Sequence, residues 1–305
     1  MSLPQATRNL RTLAAALYAI AQKVEVLAEE TEFSFLVDRG RQLLSVGYDA
    51  TAQQLHPACY DMLASEARIA AFLAVARGDL PQQSWLNLGR SHTRAFGRFL
   101  LLSWTGTMFE YLMPALWMRS FPDTLIARTL TSCVQVQQAF ARAHNIPWGI
   151  SESGFALKDE AGHYQYQAFG IPQTALKFDA TAGPTVSPYS TFLALVVDPH
   201  EALRNLHWMA DARWVGAYGF YEAADYSGSP GSAVLVREWM AHHQGMSLLA
   251  ILNLLHGNIV QQWFHANPLV RSAELLLNEL PARKADLKAK ANDCAPMRSA
   301  LVKAA

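Results

Sequence analysis

Four glutamates stand among aromatic residues instead of in ordinary charged surface segments: Glu66, Glu110, Glu152 and Glu222. Their segments are YDMLASEARIA, WTGTMFEYLMP, PWGISES and GFYEAADY. A carboxylate beside Trp, Tyr and Phe loses solvation, so each needs a partner, a raised pKa or a ligand. Sugars suit such a site, because aromatic rings stack on pyranose faces, carboxylates bind hydroxyls, and two carboxylates suffice to break a glycosidic bond. For each glutamate, a buried salt bridge is the alternative.

Other chemistries have weaker support in the sequence. The segment MAHHQGM carries His242, His243 and Gln244 and suggests a metal, but adjacent histidines on a helix point about 100° apart, and no HExxH follows. A sugar contact or a core hydrogen bond suits them better. The GISES segment has no nucleophile elbow, and no phosphate-binding glycine loop occurs. We therefore expect no metal and no cofactor.

Composition bounds the class of protein. The 305 residues are 51% apolar, which is enough for a substantial core. The 25 Lys and Arg balance the 25 Asp and Glu, so no field of one sign is available to capture nucleic acid. Three dispersed cysteines, Cys59, Cys133 and Cys294, form no disulfide framework and favour a reducing compartment.

The N-terminal segment resembles a signal peptide in having arginines before an apolar stretch. Its leucines, isoleucine and valine recur in steps of three and four from Leu10 to Leu27, which predicts one amphipathic helix running past any cleavage point. No apolar run approaches the roughly 20 residues that span a bilayer. These features predict a cytoplasmic chain.

Helical periodicity dominates the elements that must position the glutamates. Helices are predicted at residues 6–30, 61–77, 122–144, 199–212, 232–256 and 268–279, with weaker patterns at 82–100 and 106–120. Asp123 and Asp198 before Pro199 are predicted helix starts. Only HYQYQAF and FLALVV suggest strands. The class is therefore all-α, with long loops that carry the unusual residues.

Seven segments, in order, resemble the central glycoamylase-like region of cyclic β-1,2-glucan synthases. They are YDMLASEARIAAFLAVARGDLP, SWTGTMFEYLMPALW, PWGISESGF, YQYQAFGIP, SPYSTFLAL, YGFYEAADY and MAHHQGMSLLAILN. The resemblance implies an (α/α)6 toroid of the glycoside hydrolase type that rearranges linear β-1,2-glucan into rings with retention at the anomeric carbon. Related β-1,2-glucanases hydrolyse the glucan instead.

The resemblance also implies residue roles. Glu66 corresponds to the general acid/base and Glu152 to the nucleophile, a choice that spacing alone does not make over Glu110 or Glu222. The expected sugar-binding residues are Tyr60, Asp61, Arg68, Trp104, Glu110, Trp148, Tyr166, Tyr189, Tyr221, Glu222, Asp225, His242, His243 and Gln244. Core packing is the alternative for each aromatic residue, and helix capping for Asp61.

The expected organisation is an amphipathic helix at 1–30, a glycoamylase-like domain at 31–282 and a basic tail at 283–305. The domain corresponds to the C-terminal part of the family's region, so the toroid is expected to be incomplete on its N-terminal side. The expected partners are β-1,2-glucan and the glucosyltransferase and phosphorylase-like regions of a larger synthase at the inner-membrane face. Two alternatives stay open: a β-1,2-glucan hydrolase and a non-catalytic glucan-binding or partner-assembled module.

Overall fold

The chain is mainly helical. A computed structural model describes residues 3–63, 67–177, 183–228 and 232–281. Its α-helices in these ranges are α1 (Leu3–Glu30), α2 (Ala67–Arg77), α3 (Gln82–Asn87), α4 (Met108–Leu112), α5 (Leu125–His144), α6 (Pro188–Leu193), α7 (Pro199–Asp211), α8 (Ala241–Leu255), α9 (Ile259–Ala266) and α10 (Pro268–Ala273). Short 3₁₀ helices occupy Ser34–Leu36, Met113–Leu116, Pro172–Thr174, Ala194–Val196 and Glu274–Asn278. Glu66 and Cys294 lie outside the described residues.

Short antiparallel strands lie in the segments between the helices. They are β1 (Val37–Asp38), β2 (Leu43–Leu44), β3 (Tyr48–Asp49), β4 (Gln54–Leu55), β5 (His92–Ala95), β6 (Arg98–Leu101), β7 (Ser153–Lys158), β8 (Tyr164–Gln167), β9 (Thr185–Val186), β10 (Val215–Gly216), β11 (Gly219–Phe220), β12 (Ala223–Asp225) and β13 (Val234–Val236). Most form two-stranded hairpins, and β13, β12 and β9 form one three-stranded sheet. The β7–β8 hairpin packs against that sheet.

The main core lies between the central helices. α5 begins at Thr124, whose hydroxyl accepts the Ala127 N–H, and ends at Asn145, which adopts the left-handed conformation that terminates helices. Its apolar face packs against α4 and β6, while α6 packs against α7 and α8, and α10 against α2. Fully buried Phe72, Tyr111 and Leu193 belong to this core. The core gives the loops between these helices a rigid base.

Several predicted elements are confirmed with shifted ends. Asp198 caps α7 by accepting the Glu201 N–H, with Pro199 in the first turn. The strand predicted at HYQYQAF is β8. The start of α5 falls one residue beyond the predicted Asp123, because the Thr124 side chain supplies the cap.

Three expectations about elements are wrong. FLALVV completes α6 and a 3₁₀ turn instead of forming a strand, because a short, continuous apolar run has no period that distinguishes strand from helix. The helix predicted at 82–100 ends at Asn87, and the β5–β6 hairpin follows it, turning at Phe96 and Gly97, both with positive φ. α8 begins at Ala241, nine residues late, since β13 occupies part of the predicted span.

α1 is the predicted amphipathic helix, and it stands apart from the core. None of its residues is buried, and its leucine stripe is exposed. The C-terminal end of α1 is held by Arg77 of α2, which donates to the carbonyl oxygens of Ala28 and Glu29. No helix in the described ranges combines the length and hydropathy needed to cross a bilayer.

Candidate active site

The segment before Glu152 is fastened to three helices. The Gln137 amide of α5 bonds both backbone groups of Ile150, at 2.9 Å each. Asn205 of α7 likewise bonds both backbone groups of Trp148, at 3.2 and 2.7 Å. The Ser151 hydroxyl accepts the Phe109 N–H of α4 at 3.0 Å. Satisfied buried backbone groups of this kind fix the path of a loop, so Glu152 emerges from a rigid support.

Gly149 is required within this segment. Its φ of 120° is unfavourable for other residues, and an added Cβ would lie 2.8 Å from Ser190 Oγ and 2.9 Å from Thr191 Oγ1. The close approach lets the Gly149 carbonyl accept the Ser187 N–H and the Ser190 hydroxyl, both at 2.9 Å. The glycine therefore docks the loop directly onto the start of α6.

Two tyrosines hold the half-buried residue Glu152 in place. Tyr166 of β8, paired with Gly154 across the hairpin, donates its hydroxyl proton to Glu152 Oε1 at 3.0 Å. Tyr189 of α6 donates to the Glu152 carbonyl oxygen at 3.0 Å, so its phenol oxygen accepts the Ser151 hydroxyl proton at 2.9 Å. One tyrosine orients the carboxylate and the other orients its backbone.

A buried histidine–glutamate pair lies behind the tyrosines. His243 is 1% exposed and Glu222 is 2% exposed. The Nδ1 atom of His243 is 2.9 Å from both carboxylate oxygens of Glu222, and Nε2 is 3.5 Å from the Tyr166 hydroxyl. The imidazole ring stacks on Tyr189, with 3.7 Å between ring centroids. Contacts thus run in series from Glu222 through His243 and Tyr166 to Glu152.

Burial around this pair shifts the pKa values of three neighbouring groups towards their neutral forms. Burial, with the charge of Glu152 beside it, raises the pKa of Tyr189, so its phenol stays a proton donor. Burial, together with the negative charge of Glu222, raises the pKa of Glu238. Burial and the neighbouring His243 lower the pKa of His242. The carboxylate of Glu222 also accepts the Gly154 N–H at 3.2 Å, which joins it to β7.

Four of the residues predicted to bind sugar are buried away from Glu152 or have structural contacts. Glu110 is buried in a capping box at the start of α4 with Thr107, and its oxygens also accept from Ser103 and Thr105. Asp225 accepts two backbone N–H groups, and Trp148 is buried in the core. Arg68 is buried beside a different cavity. A sugar-binding role for these residues stays a prediction that their contacts do not support.

Several residues predicted to bind sugar are partly exposed, and the aromatic ones among them lie beside other rings. The rings of Tyr60 and Trp104 stack with centroids 6.0 Å apart. The Tyr221 ring centroid lies 5.2 Å from that of Trp239 and 5.8 Å from the Arg237 guanidinium carbon. Half-buried Asp61 packs against Gly89, Gln244 donates to the Phe220 carbonyl oxygen, and His242 is exposed. All four paired rings are partly exposed, and their binding to sugar stays a prediction.

Sequence reasoning missed the residues that hold the loop. Gln137 and Asn205 are buried polar residues on the inner faces of amphipathic helices, and that position was the available signal. Glu238 and Trp239 were absent from the predicted site, although both lie between β13 and α8, next to the HHQ motif. Within the described residues, no group of His, Cys, Asp and Glu is placed to hold a metal ion.

Comparison with known proteins identifies the class and then the family. The fold is the α/α toroid of glycoamylase-like proteins and β-1,2-glucanases. Residues 59–268 match the family model described as "Putative glucoamylase", and the chain belongs to this glycoamylase family.

Three relatives illustrate the match. Cyclic β-(1,2)-glucan synthase NdvB of Rhizobium meliloti is 40% identical over 279 residues, which cover 88% of this chain and 10% of that protein. A crystal structure described as a putative glucoamylase from Bacteroides caccae matches with a TM-score of 0.66 at 19% identity, covering 86% of this chain and 65% of that one. An endo-β-1,2-glucanase from Chitinophaga pinensis, in complex with sophorotriose and glucose, has a TM-score of 0.64 at 19% identity and the same coverage. The chain thus spans a tenth of the synthase and about two thirds of each solved structure.

Proposed function

We propose that the chain is a retaining β-1,2-glucan transglycosylase that closes linear glucan into rings, acting as one region of a cyclic glucan synthase. The 40% identity to such a synthase supports the substrate and the reaction. The rigid mounting of Glu152 supports the mechanism and is the observation that carries the proposal. On this proposal residues 31–282 form the catalytic domain, and glucosyltransferase and phosphorylase-like regions are its partners at the cytoplasmic face of the inner membrane.

Glu152 is the nucleophile in this mechanism. Its carboxylate is half-buried, accepts one hydrogen bond from Tyr166 and stands on a backbone that cannot shift without breaking the Gln137 and Ser151 contacts. It attacks the anomeric carbon from the face opposite the departing sugar and forms a glycosyl ester. The second displacement restores the original anomeric configuration. A fixed nucleophile serves both steps because orientation contributes much of the rate.

Glu66 supplies the proton in the first step and removes one in the second. It immediately precedes α2 and lies outside the described residues, so its role rests on the family resemblance. In the first step it protonates the glycosidic oxygen as the bond to the anomeric carbon breaks, so that the departing sugar leaves with a hydroxyl group. In the second it takes the proton of the acceptor hydroxyl that resolves the ester. If the acceptor is the far end of the same glucan, the product is a ring.

His243 and Glu222 act as positioning residues on this proposal. At 1% and 2% exposure they are shielded from a substrate bound at Glu152, and they reach Glu152 through the two tyrosines. The pair keeps Tyr166 and Tyr189 in the geometry that orients the nucleophile. The stacked pairs of Tyr60 with Trp104 and of Tyr221 with Trp239 offer platforms for sugar rings.

Mass analysis of products from linear β-1,2-glucan tests the proposal. Rings one water lighter than a linear glucan with the same number of glucose units are expected for wild type and should be absent with Glu152→Gln. The matched control is Glu160→Gln, which changes an exposed residue in the turn between β7 and β8 and should leave the product pattern unchanged. Unaltered glucan, or rings formed equally well by Glu152→Gln, would refute the proposal.

A β-1,2-glucan hydrolase is the second candidate, favoured by the structural match to an endo-β-1,2-glucanase. The two activities share the first step and differ in whether water or a sugar hydroxyl resolves the ester. Short linear fragments in place of rings, again abolished by Glu152→Gln, would select hydrolysis.

A further inference from the structure

A fully buried arginine lacks a counterion among the described residues. Arg68, in the first turn of α2, is 2% exposed, and its Nε and Nη1 groups have no hydrogen-bond partner. Burial lowers its pKa to about 10, so the guanidinium stays charged at neutral pH. An unpaired buried charge is strongly unfavourable, and the positive end of a helix is a poor place for a cation. The site therefore needs a negative charge.

Two carboxylates on the C-terminal segment, Glu279 and Glu274, are paired with other cations. Glu279 lines the same cavity, but its Oε1 atom lies 2.6 Å from Arg90 Nε. Glu274 pairs with Arg119 at 3.4 Å and with His265 Nδ1 at 2.7 Å. Within the described ranges, no ion pair joins Arg68 to either of them, and desolvation alone accounts for its lowered pKa.

Two further unpartnered hydrogen-bond donors surround the same cavity. The indole Nε1–H of Trp85 in α3 is buried without an acceptor, and so is the Ser120 hydroxyl. Both residues line the cavity with Arg68, and apolar Met118 and Leu277 close it. Four unpartnered groups that can donate thus border one space, next to a buried positive charge. A water oxygen accepts only two hydrogen bonds, whereas an anion accepts all four and also neutralises the charge.

The size of the cavity limits the ligand. Its volume is about 20 Å³, room for roughly one water-sized occupant. Phosphate, sulfate and sugars are too large. We propose that this cavity binds a monovalent halide ion, chloride in the cell, as the counterion of Arg68, so that the ion bridges α2, α3 and the segment ending at Ser120. The site is separate from Glu152 and independent of the proposed function.

Thermal unfolding in salts of equal ionic strength tests the proposal. The melting temperature of the chain should rise saturably when sodium gluconate is exchanged for chloride or bromide, because a ligand of the native state stabilises it. Trp85→Phe keeps an aromatic side chain and removes the indole N–H donor, so halide affinity should fall roughly tenfold or more, as expected for one lost hydrogen bond to a charged group. Ser120→Ala should weaken affinity in the same direction.

Two controls separate the site from general salt effects. Arg68→Met removes the charge at similar length and should abolish the halide response, whereas Arg128→Met changes an exposed arginine on α5 and should keep it. Crystals grown with bromide should show an anomalous peak beside Arg68 in wild type. Equal melting temperatures in gluconate and halide, or the same halide response in Trp85→Phe and wild type, would overturn the proposal. A water in the cavity of bromide-grown crystals would also overturn it.

Discussion

His243→Phe tests whether the buried pair with Glu222 holds the site together. Phenylalanine keeps the ring that stacks on Tyr189 but removes the Nδ1 donor that lies 2.9 Å from both Glu222 oxygens. Among the described residues, the Glu222 carboxylate then keeps the Gly154 N–H as its one donor and remains buried without its histidine partner. Breaking a buried pair in this way costs about 3–5 kcal/mol of unfolding free energy.

A double-variant cycle turns that estimate into a decisive measurement. Glu222→Met with His243→Phe replaces both polar partners, so the remaining cost is mainly the unsatisfied Gly154 N–H, about 1–3 kcal/mol. The double variant should therefore be more stable than His243→Phe alone, as measured by urea unfolding followed by circular dichroism. Single-variant costs that add to the double-variant cost within about 0.5 kcal/mol would refute a coupled pair.

Three further predictions concern Gly149, Glu238 and the Tyr166 hydroxyl that donates to Glu152. Gly149→Ala should lower the free energy of unfolding in urea by more than about 2 kcal/mol, because the position combines a positive φ with contacts under 3 Å. Gly162→Ala, at a position with positive φ but open space around it, should lower it by about 1 kcal/mol. Equal costs would contradict the packing argument. Glu238→Gln should raise the melting temperature at pH 7 and have no effect below pH 4.5. The raised pKa of Glu238 means that the native state favours the neutral acid, and this stability is lost as pH rises; glutamine stays neutral at every pH. A higher melting temperature of the variant at low pH but not at pH 7 would contradict this argument. Tyr166→Phe should lower kcat roughly tenfold or more with little change in melting temperature, since Tyr166 is 45% exposed and donates to the nucleophile; unchanged kcat would contradict an orienting role.

The helical framework could be predicted because its signals are local. Apolar periodicity gave α1, α5 and α7, and Asp198 before Pro199 marked where α7 begins. The β5–β6 hairpin and β13 were missed because two- to four-residue strands have too few positions to show a period, and their pairing depends on turns such as Gly97. The predicted strand FLALVV was wrong because a six-residue apolar run contains no polar positions, and these are what distinguish the helical period from the strand period.

The candidate site was predictable in its residues but not in their division of labour. Aromatic surroundings singled out Glu110 and Glu222 together with Glu152, because all three are desolvated. Only the folded contacts distinguish the capping carboxylate of Glu110 from the histidine-paired Glu222 and the half-buried Glu152. The loop's clamp also escaped prediction, since Gln137 meets Ile150 only after α5 has packed. Such long-range hydrogen bonds leave no local pattern in a sequence.

Chemical rescue of Glu152→Ala by azide tests the role of Glu152 most directly. The substrate is an activated aryl β-glycoside of the β-1,2-linked glucose disaccharide, so departure of the aryl group needs no proton donor. If Glu152 is the nucleophile, azide occupies the space left by the carboxylate, attacks from the opposite face and yields the α-glycosyl azide. A β-glycosyl azide, or wild-type turnover without azide, would contradict the assignment.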